Sequence, residues 1–276
     1  MGDDLTTAGF TISYLGTGAG GCIMRNHTAM VLDCPTGERI LLDAASGNTV
    51  LRHGHALGMS PIEFDHCLLS HSHSDHCEGL PHIEMQRSRR DPAERPMQLY
   101  GSERALADVG ALLALPPRDL MVDADGALRR DGRRSFAFRP SDPGSWVQLT
   151  PNVRARCIEV NHIGGALAWR VESGGRAVVF SGDTRWCPEL AELSQGATLL
   201  IHEAICTEAE RSIADSTAHA TAAEAGRIAQ MAGVGSLTLT HIHNDFHADT
   251  ELLAAEARSV YDGPVSVAED CWQQRV

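Results

Sequence analysis

The segment at residues 67–76 constrains this chain more than any other part of its sequence. It begins with the apolar run Cys-Leu-Leu and continues as Ser-His-Ser-His-Ser-Asp-His, so three imidazoles and one carboxylate fall within six residues. Side chains two positions apart in an extended chain point to the same side, so His71 and His73 converge while Asp75 and His76 face a second point. Imidazole and carboxylate ligands without thiolates are typical of an open Zn²⁺ site or of a neighbouring first-row ion. The segment therefore predicts a buried strand that ends at two metal positions, rather than a polar loop that is merely rich in histidine.

A second pattern follows directly, because residues 78–81 read Glu-Gly-Leu-Pro. Together with residues 71–76 they resemble the HxHxDHxxGLP signature of the metallo-β-lactamase-fold hydrolases, and the Gly-Leu-Pro ending resembles the ribonuclease Z-like branch. The resemblance extends from about Leu15 to the C-terminus. It implies one domain over residues 1–276, of the α/β (α+β) class, in which two mixed β-sheets flanked by helices form an αββα sandwich.

Three further donors follow later strand-like runs and complete the ligand set that the resemblance implies. They are His162, Asp183 within a Gly-Asp-Thr turn, and His241. The implied ligands are His71, His73 and His162 for one ion and Asp75, His76 and His241 for the other, with Asp183 bridging both. We therefore expect two divalent cations, with Zn²⁺ preferred and Mn²⁺ or Fe as alternatives, because such ligands suit several metals.

Two more elements resemble the ribonuclease Z-like branch. They are His202-Glu-Ala at the end of an apolar run and His219-Ala-Thr before a helical pattern. By this resemblance Glu203 orients His219 and keeps it cationic, and His219 protonates the leaving group. Asp75 would orient or deprotonate the nucleophilic water. In the alternative interpretation, Glu203 pairs locally and His219 serves as an N-cap-like residue of the following helix.

The expected chemistry is hydrolysis by a hydroxide shared between the two ions, since such ions lower the pKa of bound water towards 7. Members of this branch that process tRNA carry a long arm between the third ligand and the bridging aspartate. Only about twenty residues separate His162 from Asp183 here, and the net charge is −13. A polynucleotide-binding protein usually has a basic face. We therefore predict a phosphodiesterase that acts on a small ester such as a cyclic nucleotide, and we do not expect an extended nucleic acid as partner.

Other functions stay open at this stage. A tRNA 3′-processing endonuclease of the ribonuclease Z type is the main alternative, followed by an arylsulfatase or lactonase acting on other esters. A non-catalytic metal-binding scaffold is the least favoured, since no predicted ligand is missing from the sequence. The resemblance also implies a homodimer.

The cellular context follows from composition. No apolar run approaches the roughly 20 residues of a membrane helix, and residues 1–4, Met-Gly-Asp-Asp, are acidic where a signal peptide is basic. The eight cysteines contain no Cys-x-x-Cys pair. We predict a cytoplasmic protein with no membrane partner.

Two remaining features carry weaker predictions. Asp43 resembles an aspartate that orients the loops of such a site without binding metal. Residues 118–146 are polar and irregular, with four arginines at positions 129–134. These arginines form either a phosphate-gripping lid or, the favoured interpretation, a solvated turn between strands.

Overall fold

A computed structural model describes residues 9–90, 95–114 and 135–276. Residues 1–4, which bear on the predicted absence of a signal peptide, lie outside the described residues. The arginines at positions 129–134 also lie outside them. None of the helices in the described ranges combines the length and the apolar character that crossing a bilayer requires.

The first sheet contains seven strands in the described ranges. They are β1 (Thr11–Gly16), β2 (Ala29–Asp33), β3 (Arg39–Leu42), β4 (His66–Leu68), β5 (Met97–Gly101), β6 (Phe136–Pro140) and, from the end of the chain, β14 (Gln273–Arg275). Their order is β14-β1-β2-β3-β4-β5-β6. Pairing is antiparallel from β14 to β3 and parallel from β3 to β6, so the sheet is mixed.

The second sheet has seven described strands and repeats this arrangement. They are β7 (Trp146–Thr150), β8 (Val153–Glu159), β9 (Leu167–Ser173), β10 (Arg176–Phe180), β11 (Leu199–Glu203), β12 (Leu237–Thr240) and β13 (Val265–Val267). Their order is β13-β12-β11-β10-β9-β8-β7. Pairing is antiparallel from β7 to β10 and parallel from β10 to β13.

Helices cover the outer faces of the sheets. They are α1 (Thr49–Ala56), α2 (Ser74–Cys77), α3 (Leu80–Arg90), α4 (Glu103–Ala114), α5 (Glu189–Ser194), α6 (Arg211–Thr217), α7 (Ala222–Ala232) and α8 (Glu251–Arg258). One apolar core lies between the sheets and contains Tyr14, Trp169 and Phe180, all almost fully buried. Two further cores pack the first sheet against α1, α3 and α4, and the second against α5, α7 and α8. The predicted αββα sandwich is confirmed.

Two hydrogen bonds join the sheets next to the histidine-rich segment. The buried indole Nε1–H of Trp169 donates to the carbonyl of Leu69 over 3.0 Å, and the amide of Leu167 donates to the carbonyl of Ser70 over 2.9 Å. Both donors belong to β9 in the second sheet, and both acceptors directly follow β4 in the first. The start of the histidine-rich segment is therefore fixed by both sheets.

The prediction of irregular chain over residues 118–146 is wrong where the structure describes it. β6 occupies residues 136–140, and β7 begins at Trp146. β6 is the edge strand of its sheet, and it buries Phe136 while its last three residues are exposed. An edge strand that faces solvent on most of its length does not show the alternation of apolar and polar residues on which strand prediction relies.

Candidate metal centre

All seven predicted ligands lie at one end of the sandwich, because each follows the carboxyl end of a strand. Residues 71–76 follow β4, and His162, Asp183 and His241 follow β8, β10 and β12. The structure brings their side chains into two groups that share Asp183, with ligand atoms within 4.8 Å of one another in each group. The first group is His71, His73, His162 and Asp183, and the second is Asp75, His76, Asp183 and His241.

In the first group, imidazole nitrogens converge on one another and on a single carboxylate oxygen. Nε2 of His162 lies 3.1 Å from Nδ1 of His73. The Oδ2 atom of Asp183 is 3.6 Å from Nε2 of His71 and 3.9 Å from Nε2 of His162. Three nitrogens and one oxygen at such spacing surround a point that suits a tetrahedral cation.

The second group lies on the other side of the same oxygen. Oδ2 of Asp183 is 3.1 Å from Nε2 of His76 and 3.3 Å from Nε2 of His241. Oδ2 of Asp75 is 3.4 Å from Nε2 of His76 and 4.0 Å from Nε2 of His241. Asp183 therefore stands between two sets of donors, as a ligand shared by two cations must.

Four of the imidazoles are oriented through Nδ1, which leaves Nε2 free for the centre. Their partners are Ser70 Oγ for His71 (3.0 Å), Asp43 Oδ2 for His76 (2.7 Å), the Ala218 carbonyl for His162 (2.8 Å) and Thr28 Oγ1 for His241 (2.9 Å). Ser70 and Thr28 donate their own hydroxyls to Asp43 Oδ2 and to the Gly18 carbonyl, so they accept from the imidazoles.

The role predicted for Asp43 agrees with this geometry, since it orients His76 and Ser70 and belongs to neither ligand group. The sequence analysis missed Thr28 and the Ala218 carbonyl. Thr28 is separated from His241 by 213 positions, and a backbone carbonyl carries no side-chain signal. Only the three-dimensional structure reveals these two partners.

The atoms present fit divalent cations. Nε2 of His71 and Nε2 of His76 are buried and have no hydrogen-bond partner within the described part of the chain. A buried lone pair without a partner is costly unless a cation or a water occupies it. The ion-pair partners of Asp75 and Asp183 among the described residues are all histidines, so neutral imidazoles leave these buried carboxylates without a permanent positive charge.

Burial and neighbouring charges act in opposite directions on this cluster. Burial alone would raise the pKa of Asp183, but His241 and His76 hold that pKa well below its ordinary value. Burial also lowers the pKa of His76, yet Asp183, Asp75 and Asp43 raise it well above the usual range. At His241 burial dominates and lowers the pKa to about 3. The carboxylates thus draw positive charge into the space between the imidazoles.

The backbone before the shared aspartate has a conformation that requires glycine. Gly182 has φ +57°, and a Cβ there would lie 2.7 Å from the Leu167 carbonyl oxygen and 2.9 Å from Cβ of Ser70. Any side chain would push the turn away from the loops that carry the first group. Gly182 therefore sets the close approach of Asp183 to the first sheet.

Glu203 and His219 form the pair that the sequence predicts. Nδ1–H of His219 donates to Oε1 of Glu203 over 2.9 Å, and this nitrogen lies 3.9 Å from Oδ2 of Asp183. Glu203 also accepts from the amides of Thr184 and Ala220. The alternative role of His219 as a helix cap is wrong, because Thr221 caps α7 through its own side chain.

The pair is buried, and its two pKa values move upward. Burial raises the pKa of Glu203 to about 7, against the opposing effect of His219. Burial lowers the pKa of His219, but the charge and hydrogen bond of Glu203 overcome this and raise it to about 9. Glu203 therefore favours a protonated His219 next to Asp183.

Comparison with known proteins assigns the chain to a family. Residues 38–242 match the family described as "Beta-lactamase superfamily domain", which is well over half of the chain. The chain belongs to the β-lactamase superfamily. Ribonuclease Z of Haloarcula marismortui is 26% identical to this superfamily member over 304 residues, and the match covers 96% of each protein.

Two solved structures show the same fold. The metallo-β-lactamase-fold protein YhfI from Bacillus subtilis superimposes with a TM-score of 0.78 and 20% identity, covering 97% of this chain and 100% of that one. The short form of human tRNase Z has a TM-score of 0.72 and 20% identity, covering 96% and 98%. This β-lactamase-superfamily protein is a metal-dependent hydrolase, as the sequence predicts, and its His/Asp clusters suit a binuclear divalent metal site. Its similarity to Ribonuclease Z over nearly the whole chain supports the predicted resemblance to the ribonuclease Z-like branch.

Proposed function

We propose that this hydrolase is a ribonuclease Z-type phosphodiesterase that cleaves precursor tRNA at the 3′ side. The observation that carries the proposal is the His219–Glu203 pair beside Asp183, an arrangement that supports a proton donor at the edge of the two ligand groups. A phosphodiester needs such a donor because its leaving alkoxide must be protonated at neutral pH. The nearly full-length similarity to a protein named Ribonuclease Z supports RNA as the substrate class.

Different residues of the site have different roles in the proposed hydrolysis. Two divalent ions at the seven ligands would supply an ionised water and neutralise the phosphoryl oxygens during in-line attack. Asp75, whose Oδ2 lies beside both His76 and His241, orients the attacking water and accepts its proton. His219 holds the proton for the leaving oxygen, and Glu203 keeps the imidazole in position through Nδ1.

The substrate is where the sequence-based prediction and the comparisons diverge. The sequence predicts a small ester from the charge of −13 and the short connection between His162 and Asp183. In the structure this connection contains only the antiparallel strands β9 and β10. The named relatives nevertheless favour the alternative, a tRNA-processing endonuclease, over the small phosphodiester. We therefore propose RNA, with the small ester as the competing outcome of the test.

A cleavage assay separates the two substrates. We expect the metal-loaded protein to cut a labelled precursor tRNA at the base of its 3′ trailer, with a rate that falls steeply as salt concentration rises, because phosphate contacts depend on counterion release. Cyclic nucleotides should be turned over far more slowly. Efficient turnover of a cyclic nucleotide by a preparation that leaves precursor tRNA intact would contradict the proposal.

The proposed proton donor has its own test. His219→Ala should lower kcat on precursor tRNA by about 10²-fold or more, the usual contribution of a general acid. It should leave bound metal unchanged, because His219 belongs to neither predicted ligand set. Glu203→Gln should show a smaller loss. An activated ester with a p-nitrophenolate leaving group needs no proton, so its hydrolysis should fall much less.

His55→Ala is the matched control, because His55 is exposed in α1. It should leave both rates unchanged. Equal losses of His219→Ala on the RNA and on the activated ester would contradict the role of proton donor, and so would a loss of bound metal.

A further inference from the structure

The outer face of β7, β8 and β9 carries an unusual set of side chains. Along these strands alternate residues point away from the core between the sheets. We define the outer patch as Trp146, Arg154, Arg156 and Arg170. The register pairs Trp146 with Arg156, and Arg156 with Arg170 on the next strand. The four side chains therefore lie on one face across three neighbouring strands.

Aromatic and cationic groups are in contact within the outer patch. The guanidinium carbon of Arg154 lies 4.1 Å from the ring centroid of Trp146, and that of Arg156 lies 5.3 Å from it. Trp146 is 40% exposed. Stacking on an exposed indole holds an arginine as a planar cation. Arg154 donates Nε and Nη2 to Oε2 of Glu172, which leaves Nη1 for a ligand.

The outer patch has an excess of positive charge. Among the described residues, the ion-pair partner of these arginines is Glu172, at 2.6 Å from Arg154 and 2.7 Å from Arg170. Arg170 also donates Nη1 to the carbonyls of Leu193 and Gln195. Arg156 makes no recorded hydrogen bond or ion pair to any residue that the structure describes, and its Nε is buried without a partner. Arg156 as a whole is only half-buried, and a guanidinium group binds phosphate oxygens through its planar fork of N–H donors.

The position of the outer patch suits a substrate held at the metal centre. β8 runs from the patch towards His162, and Arg156 precedes His162 by six positions. At a strand rise of about 3.3 Å per residue, these six positions span at most roughly 20 Å, and less here because β8 ends at Glu159. The patch also lies on β9, one of the two strands that form the short connection before Asp183.

We propose that the outer patch binds the sugar–phosphate backbone of the RNA substrate and fixes its body relative to the metal centre. This inference rests on the proposed function. Arg156 and Arg154 contact phosphate oxygens, and Trp146 holds both guanidinium groups in place. The charge complementarity is local, since the chain as a whole has a net charge of −13.

The test compares two double variants that remove the same charge. Arg154→Ala/Arg156→Ala alters the outer patch. Arg227→Ala/Arg258→Ala removes two arginines of α7 and α8, which pair with Glu208 and Glu251. Binding is measured by fluorescence anisotropy of a labelled tRNA without a 3′ trailer, which offers no bond to cleave. Hydrolysis of bis(p-nitrophenyl) phosphate by the same metal-loaded preparations shows that the centre is intact.

We expect the patch variant to bind tRNA on the order of tenfold more weakly at low salt, with the slope of log affinity against log salt reduced by about two, one for each lost phosphate contact. Its hydrolysis of the small ester should equal that of the wild type. The control variant should bind tRNA almost as the wild type does. Trp146→Ala should weaken tRNA binding less than Arg154→Ala/Arg156→Ala does, because it removes the ring that holds the two guanidinium groups but leaves both positive charges.

Three outcomes would overturn the inference. One is equal tRNA binding by the two double variants, and another is no tRNA binding by the wild type. The third is a patch variant that changes only the oligomeric state in light scattering, which would assign the face to a second copy of the chain. If tRNA binding depends on the patch but precursor tRNA is not cleaved, the proposed function is rejected and the role of the patch is retained. If precursor tRNA is cleaved but the patch variant binds tRNA as the wild type does, the role of the patch is rejected and the proposed function is retained.

Discussion

Asp183→Asn should abolish phosphodiester hydrolysis, with a loss of more than about 10⁴-fold, a modest part of the acceleration that enzymes provide. Asp183 is the single residue that belongs to both ligand groups, and its Oδ2 faces four imidazole nitrogens of those groups at 3.1–3.9 Å. An amide at this position keeps the shape of the side chain but removes the charge that two neighbouring cations require. We therefore expect bound metal to fall to one ion per chain or less.

The measurement is metal content by mass spectrometry, made together with the rate and with a thermal melt. Asp249→Asn is the matched control, because Asp249 is exposed near the start of α8. It should keep full metal content and full activity. An Asp183→Asn protein that retains two ions and wild-type turnover would remove Asp183 from the role of bridging ligand.

Chelation of the metal should have the second large effect, a lower melting temperature as well as a loss of activity. Residues 71–76 extend from the first sheet, whereas His162, Asp183 and His241 extend from the second. Ions held by both sets stabilise only the packed sandwich. At a thousandfold excess over its Kd, each ion contributes about 4 kcal/mol, which corresponds to a shift of roughly 10 °C or more in Tm for a chain of this size.

Calorimetry of the protein before and after chelation tests this expectation, followed by separate titration with Zn²⁺, Mn²⁺ and Fe²⁺. Tm and activity should recover together, and the metal that restores both at the lowest concentration is the best candidate for the native one. The Asp183→Asn protein is the control, since its Tm should respond much less to added metal. An unchanged Tm after complete removal of metal would contradict ligation across the sheets.

The parts of this site that are close in sequence could be predicted from residue spacing alone. Residues 71–76 predict two metal positions, because the two-residue period of an extended chain directs their donor side chains to two different sides. Nothing in that spacing indicates that His162 lies 3.1 Å from His73, a residue 89 positions away. Its assignment required the resemblance to a family, and so did those of Asp183 and His241.

Other features of the structure could not be predicted from the sequence pattern. β6 exposes most of its length and so lacks alternation. The carbonyl of Ala218, which orients His162, is a backbone group that any residue supplies. The outer patch depends on the register between β7, β8 and β9, which brings Trp146 beside Arg154 and Arg156. These contacts are made by pairing across strands, and a linear sequence does not state which strands pair.

The hydrogen bonds from Trp169 and Leu167 to the carbonyls of Leu69 and Ser70 bear on the order of events after synthesis. They form between backbone and indole groups and need no cation. The loop that leads to His71 is consequently shaped as soon as the sheets pack. We therefore expect the sheets to pack before the metal ions bind, and the ions to exchange while the surrounding chain stays folded.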